Sequence, residues 1–306
     1  MVWDAFALIL AMLGLGMAMG RTTLLPDNAA ETLNLVVLYV CLPAAVLLYL
    51  PGLRMEWALL GVALTSWILM GATWVLVGLA ARLWKFRRDE YAVLLLCVGL
   101  CNSSFIGFPM VRALLGEEAV RYAVVYDQFG TFLMFSTLGL YIVARYSGDA
   151  PPGGREIALR IVRFPPVWAL VVGLTVMPEQ PPEWIGSGLR RLADALLPLV
   201  MLAVGLSIKL KLPRDEVAPL ATGLVLKLLV MPALAVPLSL LFSMRGTMLQ
   251  ANVLEAAMPP MISGAALAMA HGLAPRLAAA LAGYGIVLGL LTLPAWAWLL
   301  ARLAGG

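Results

Sequence analysis

Charge is scarce in this 306-residue chain. Asp, Glu, Lys and Arg together make up 12% of it, about half of the roughly 25% usual in a soluble domain. Histidine occurs once, as His271, and cysteine three times, as Cys41, Cys97 and Cys101. That poverty excludes a disulfide framework and a His-rich metal centre. Cys97 and Cys101 are spaced to share a helix face. Small buried packing residues are the plain reading of the pair, and a two-thiolate metal site the sharper one. HExxH, GxSxG and phosphate-loop motifs are missing, so the common hydrolase and nucleotide chemistries are not spelled out. No positive segment precedes the first apolar run, where Asp4 stands instead, so that run reads as a span and not as a signal peptide.

Apolar residues are what the chain has instead: 62% are hydrophobic and the mean hydropathy is +0.95. This composition predicts an all-α polytopic membrane protein, with room for about ten spans of about 20 residues. Charged or Gly/Pro-rich clusters bound the runs 3–20, 29–50, 57–83, 91–115, 119–146, 157–177, 189–208, 217–242, 247–270 and 275–303. The polar stretch 147–156 reads as a linker between two repeats, 1–150 and 151–306.

The fourth run carries Asn102, Ser103, Ser104, Gly107 and Pro109 near its centre. Pro109 lacks an amide hydrogen and Gly107 adds freedom, so the helix is expected to break there. The ninth carries Met258-Pro259-Pro260-Met261-Ile262-Ser263-Gly264, and Pro259 follows Pro109 by 150 residues. Broken backbone at membrane depth is tolerated only in protein or a water-filled cavity, and matched breaks in two halves point to a transporter's binding site. Each half has five spans, an odd number, so the second must be inserted upside down, and helices 4 and 9 cross. With both termini outside, the inner loops hold thirteen basic residues and the outer segments seven, the bias expected of a cytoplasmic membrane protein. The net charge of +4 then needs no nucleic-acid partner.

These residues resemble the auxin efflux carrier family, which includes the plant PIN auxin transporters and bacterial relatives often labelled organic-anion permeases. The likeness rests on 102–109, Tyr126-Asp127, the stretch from Lys227 to Pro232, and Glu255 through Pro260, and it covers essentially the whole chain. It implies an elevator-type fold shared with bile-acid sodium symporters. Helices 1, 2, 6 and 7 would form a scaffold, and helices 3–5 and 8–10 a transport domain. It also implies a small carboxylate as substrate, no cofactor, no enzymatic activity, and a scaffold through which a homodimer would form. Ser263 stands where relatives often carry Asn, so ligand selection on that side is expected to differ. The long central loop of the plant carriers is missing.

The candidate substrate-binding residues are Asn102, Ser103, Ser104, Pro109, Pro259, Pro260, Ser263 and Asn34. Asn102 and the serines can also be read as caps. Half-helix N-termini after each break would favour an anion without a buried arginine. Asp127, Glu255 and Lys227 are ionisable groups in membrane spans, which default to function. They form either a structural charge pair or a proton-coupling site. A sodium-coupled symporter is the alternative within transporters. An intramembrane serine protease built on Ser207 and His271 is the remote one, since the second glycine of its motif is absent.

Overall fold

The computed structural model describes residues 2–22, 24–26, 28–51, 53, 56–148, 153–207 and 214–304. The middle of the 147–156 linker and the basic loop 208–213 lie outside the described residues. Among the described residues there are helices and no β-strand. In chain order they are α1 (Val2–Met19), α2 (Ala29–Tyr49), α3 (Trp57–Trp84), α4 (Arg88–Gly99), α5 (Ser103–Leu115), α6 (Glu117–Ser147) and α7 (Gly154–Val162). There follow α8 (Pro165–Thr175), α9 (Glu183–Asp194), α10 (Leu196–Ser207), α11 (Val217–Leu241), α12 (Gly246–Ala257), α13 (Ile262–Ala270) and α14 (Pro275–Ala304). By length and composition α2, α3, α6, α11 and α14 can cross a membrane.

Hydroxyls inside these apolar helices are satisfied locally. On α3, Thr65 Oγ1 donates to the Gly61 carbonyl at 2.8 Å, Ser66 Oγ to Ala63 at 2.7 Å and Thr73 Oγ1 to Leu69 at 2.9 Å. Such back-bonding lets a polar side chain lie in an apolar helix without an unmet group.

Two expected spans are not single helices. The run 157–177 is divided into α7 and α8, because Phe164 before Pro165 is forced to extended backbone, with φ −86° and ψ 112°, and a helix can restart only with the prolines in its first turn. The run 189–208 is α9 and α10, meeting at Ala195.

The chain divides into two compact units. Unit 1 is Met1–Arg54, Ser104–Val124 and Val162–Ile208; unit 2 is Met55–Ser103, Val125–Ile161 and Lys209–Gly306. Within unit 1, α1 packs along α10, and α2 packs on α8, α9 and α10. The α1–α10 contact is backbone against backbone: a Cβ on Gly16 would lie 2.4 Å from the Leu202 carbonyl oxygen, and one on Gly205 2.4 Å from that of Leu13. Small residues allow this approach where packing, not water exclusion, must hold helices together. Within unit 2, α3 packs on α4 and α11, α11 on α12, and α14 on both α12 and α13.

The start of α4 is pinned by charge. The Arg87 amide donates to Glu90 Oε2 at 2.7 Å, and its guanidinium donates to Glu216 Oε1 at 2.9 Å and to Asp89. Burial pushes the Asp89 carboxyl up, but the Arg87 guanidinium outweighs it and holds it below the usual carboxylate value.

Candidate functional site

Unit 2 holds two short extended segments that interrupt its helices. The first, Leu100–Asn102, separates α4 from α5; Leu100 has φ −102° and ψ 126°. The second, Met258–Met261, separates α12 from α13, with φ −58° and ψ 145° at Met258. The two lie antiparallel and bridge at Cys101 and Pro260. The Asn102 amide donates to the Pro259 carbonyl at 2.9 Å and the Met261 amide to the Leu100 carbonyl at 3.2 Å. Pro259 and Pro260 have no N–H to satisfy, so these two bonds meet much of the donor demand that unwinding creates in an apolar interior. The contact is tight. A Cβ on Gly285 of α14 would lie 2.4 Å from Pro260 Cδ, so only glycine fits there.

The first break lies upstream of where the sequence places it. Helix ends at Gly99 and resumes at Ser103 with a π-helical turn through Gly107, and Pro109 falls in the first turn of the α-helix that follows. Proline is accepted there because the π-helical turn before it already shifts the helical bonding. The helix terminus nearest the break is therefore at Ser103. Cys101 lies in the extended segment, 3.3 Å from Thr131 Oγ1, so it does not share a helix face with Cys97. No group of three metal-ligating side chains occurs among the described residues.

Around the breaks of unit 2 lies a buried polar cluster. Asn102 is buried, and its side-chain Nδ2 has no hydrogen-bond partner among the described residues. Ser103 Oγ donates to Asp127 Oδ1 at 2.5 Å, and Gln128 Nε2 donates to Asp127 Oδ2 at 2.8 Å. Glu255, on the last turn of α12, is fully buried, and neither carboxylate oxygen has a hydrogen-bond partner among the described residues. Lys227 donates from Nζ to the Ala256 carbonyl at 3.2 Å and not to Glu255. It thus caps the C-terminus of α12, where carbonyls lack helical partners and the helix dipole is negative.

Asp127 and Lys227 are each carried on a π-helical turn, Asp127–Thr131 and Leu226–Val230. Such turns recur at functional positions and loosen nearby backbone bonding. A tryptophan indole supplies a donor at each: Trp67 Nε1 to the Phe129 carbonyl at 2.9 Å, and Trp296 Nε1 to Leu228 at 3.0 Å.

The remaining candidates lie elsewhere. Ser263 is half-buried on the first turn of α13. Ser104, Pro109 and Asn34 belong to unit 1. Asn34, half-buried on α2, keeps its Oδ1 without a partner among the described residues. Pro109 lines a cavity of about 820 Å³ in unit 1, together with Leu8, Tyr49, Arg112, Glu117 and Asp194. There Arg112 pairs with Asp194, and Glu117 is shared by Arg190 and Tyr49. Ser207 Oγ donates to the Ala203 carbonyl at 2.9 Å and His271 Nδ1 is 2.9 Å from Leu267 O, ordinary bonds to the preceding helical turn.

Asn252 is the polar residue that sequence reasoning missed. Fully buried on α12, it donates from Nδ2 to Ser239 Oγ at 2.8 Å and to Thr65 Oγ1 at 3.2 Å, tying α11 and α3 to the helix that carries Glu255. The available signal was an amide three residues before Glu255, one turn away on the same helix face.

Known proteins agree with a transport role. The profile of a family described as "Membrane transport protein" matches residues 1–150 and 154–297. A protein of Methanothermobacter thermautotrophicus named an uncharacterized transporter is 31% identical over 293 residues, covering 94% of this chain and 95% of the relative. One of Methanocaldococcus jannaschii, also so named, is 26% identical over 290 residues, covering 90% and 92%. The uncharacterized transporter YfdV of Escherichia coli strain K12 is 25% identical over 309 residues, covering 96% of each. With its broken apolar helices and a match along nearly its whole length, the chain belongs to this membrane transport protein family, the auxin efflux carriers that its motifs resemble.

Proposed function

We infer that this membrane transporter carries a small organic anion, auxin-like or a dicarboxylate, across the bacterial cytoplasmic membrane, and that the anion binds at the paired breaks. The observation that carries the reading is the antiparallel pairing of Leu100–Asn102 with Met258–Met261 beside the unpartnered Asn102 amide. A buried amide donor without a partner costs free energy that a ligand oxygen recovers. The nearby helix terminus at Ser103 favours a negative group. In this reading ten spans form a five-plus-five inverted repeat, both termini lie outside, and an elevator-type motion gives alternating access. The substrate-facing set at these breaks is Asn102, Ser103, Pro259, Pro260 and Ser263.

Coupling in this reading falls to Glu255 and Asp127. Glu255, buried with no hydrogen-bond partner among the described residues, must be neutralised during the cycle, by a proton or a cation. The unpartnered Glu255 oxygens also suit the second reading, a sodium-coupled symporter. Proteoliposome uptake with a panel of carboxylates, under proton or sodium gradients imposed separately, tests both. Gradient-independent failure to move or bind any carboxylate would overturn the anion assignment. Uptake that requires sodium at fixed pH would select the second reading.

A further inference from the structure

The short helix α7 lies on no part of the protein core. None of its described side chains is buried, and Leu159 and Val162 are 42% and 52% exposed. Ile157 with Ile161, and Ala158 with Val162, recur four residues apart and make one side apolar, with Glu156 on the other side and Arg155 and Leu159 at the edge next to Val162. Its nine residues span about 14 Å, too little to cross about 30 Å of hydrocarbon. Six residues join it to Ser147 at the end of α6. Fully extended they reach at most about 25 Å, so α7 begins on the membrane face where α6 ends.

That end of α6 carries a second, independent feature. The guanidiniums of Arg88 and Arg145 lie 5.4 and 5.9 Å from the centroid of the same ring, Tyr146, and Arg88 Nη2 donates to the Arg145 carbonyl at 3.1 Å. Among the described residues neither guanidinium is ion-paired, and neither is Arg155 or Arg163, which are exposed. Two like charges gathered on one half-buried ring, neither ion-paired among the described residues, suit an anion from outside the chain. Arginine forks match phosphate, and the adjoining apolar helix face matches acyl chains.

We propose that α7 lies in the membrane interface and that Arg88 and Arg145, with Arg155 and Arg163, bind the phosphate of anionic phospholipid headgroups. The surface anchors the chain between the two repeats to the leaflet, apart from the residues assigned to substrate. The test uses the full-length protein purified in detergent, with short-chain phosphatidylglycerol or phosphatidylcholine added and lipid retention read by native mass spectrometry. Phosphatidylglycerol should be retained preferentially. Its binding should fall about 30-fold in Arg88→Gln/Arg145→Gln, at about five-fold per arginine, and should weaken with added salt. Leu159→Asn/Val162→Asn should also weaken it. Equal retention of the two lipids, or retention unaffected by both the arginine double variant and salt, would overturn the proposal. So would displacement of phosphatidylglycerol by millimolar inorganic phosphate, which would mark a site for soluble phosphate. If the arginine variant does not fold, the salt titration of the unaltered protein decides.

Discussion

Asn102 is the residue on which the proposed chemistry turns, because its backbone and side chain do different things. The backbone amide belongs to the pairing of the two breaks, and the side-chain amide has no partner among the described residues. Asn102→Ala should therefore leave the fold intact and weaken carboxylate binding by about 1.5–3 kcal/mol, roughly ten- to a hundred-fold. Equilibrium binding to monodisperse protein measures it, and unchanged affinity moves the ligand elsewhere. Ser263→Ala should cost less, since water can replace a half-buried hydroxyl. Glu255→Gln and Asp127→Asn separate coupling from architecture. If either carboxylate carries the proton, its neutral isostere should lose gradient-driven uptake yet keep counterflow exchange. Uphill transport surviving in both would remove these residues from the coupling step. Asp127→Asn should also lower stability, because its oxygens accept from Ser103 and Gln128.

At the scale of the element, the breaks are held by backbone pairing and by glycine packing more than by proline. Pro109→Ala should change stability by less than about 1 kcal/mol, because the helix already runs past it from Ser103. Gly285→Ala should cost about 1–3 kcal/mol and slow transport, because the new methyl meets Pro260 in a packed interior. Thermal unfolding of the two variants side by side gives the order, and the reverse order would return the break to Pro109. The start of α4 makes a separate case. Glu216 is buried and holds the half-exposed Arg87. Removing the guanidinium in Arg87→Ala strands a buried carboxylate, at about 1–3 kcal/mol after allowing for solvent at the arginine. The Asp89 carboxyl, held low by the same guanidinium, adds stability above the usual carboxylate range. That part is lost as pH falls through its folded value.

For the whole molecule the open quantity is orientation. In the proposed orientation, which rests on loop charges of thirteen basic residues against seven, the 147–156 linker is expected in the cytoplasm. A cysteine at Gly153, in a chain with Cys41, Cys97 and Cys101 replaced, should resist an impermeant thiol reagent in intact cells and react once the membrane is opened. Rapid labelling from outside would reverse the orientation. Ser103 and Ser104 fall on opposite sides of the division into two units, so the apolar run 91–115 has residues in each unit.

Composition alone determined the class of this protein, because a chain with 62% hydrophobic residues can satisfy its backbone in a bilayer only as helices or a closed barrel. The periodic spacing of Pro and Gly located both interruptions within a few residues, and rare charges inside apolar runs marked Asp127, Lys227 and Glu255. Tertiary structure decided the rest. Which side of Pro109 unwinds depends on where the Asn102 and Met261 amides find acceptors, and those acceptors lie about 160 residues away along the chain. Lys227 bonds to a helix-terminal carbonyl and not to a carboxylate because the end of α12 lies within its reach, a distance that no linear spacing encodes. The separation of α7 from α8 was legible in Pro165-Pro166, which follow the charges of Arg160 and Arg163. Asn252 was hidden for a different reason: its partners, Thr65 and Ser239, come from two other helices, and only packing brings them to one point.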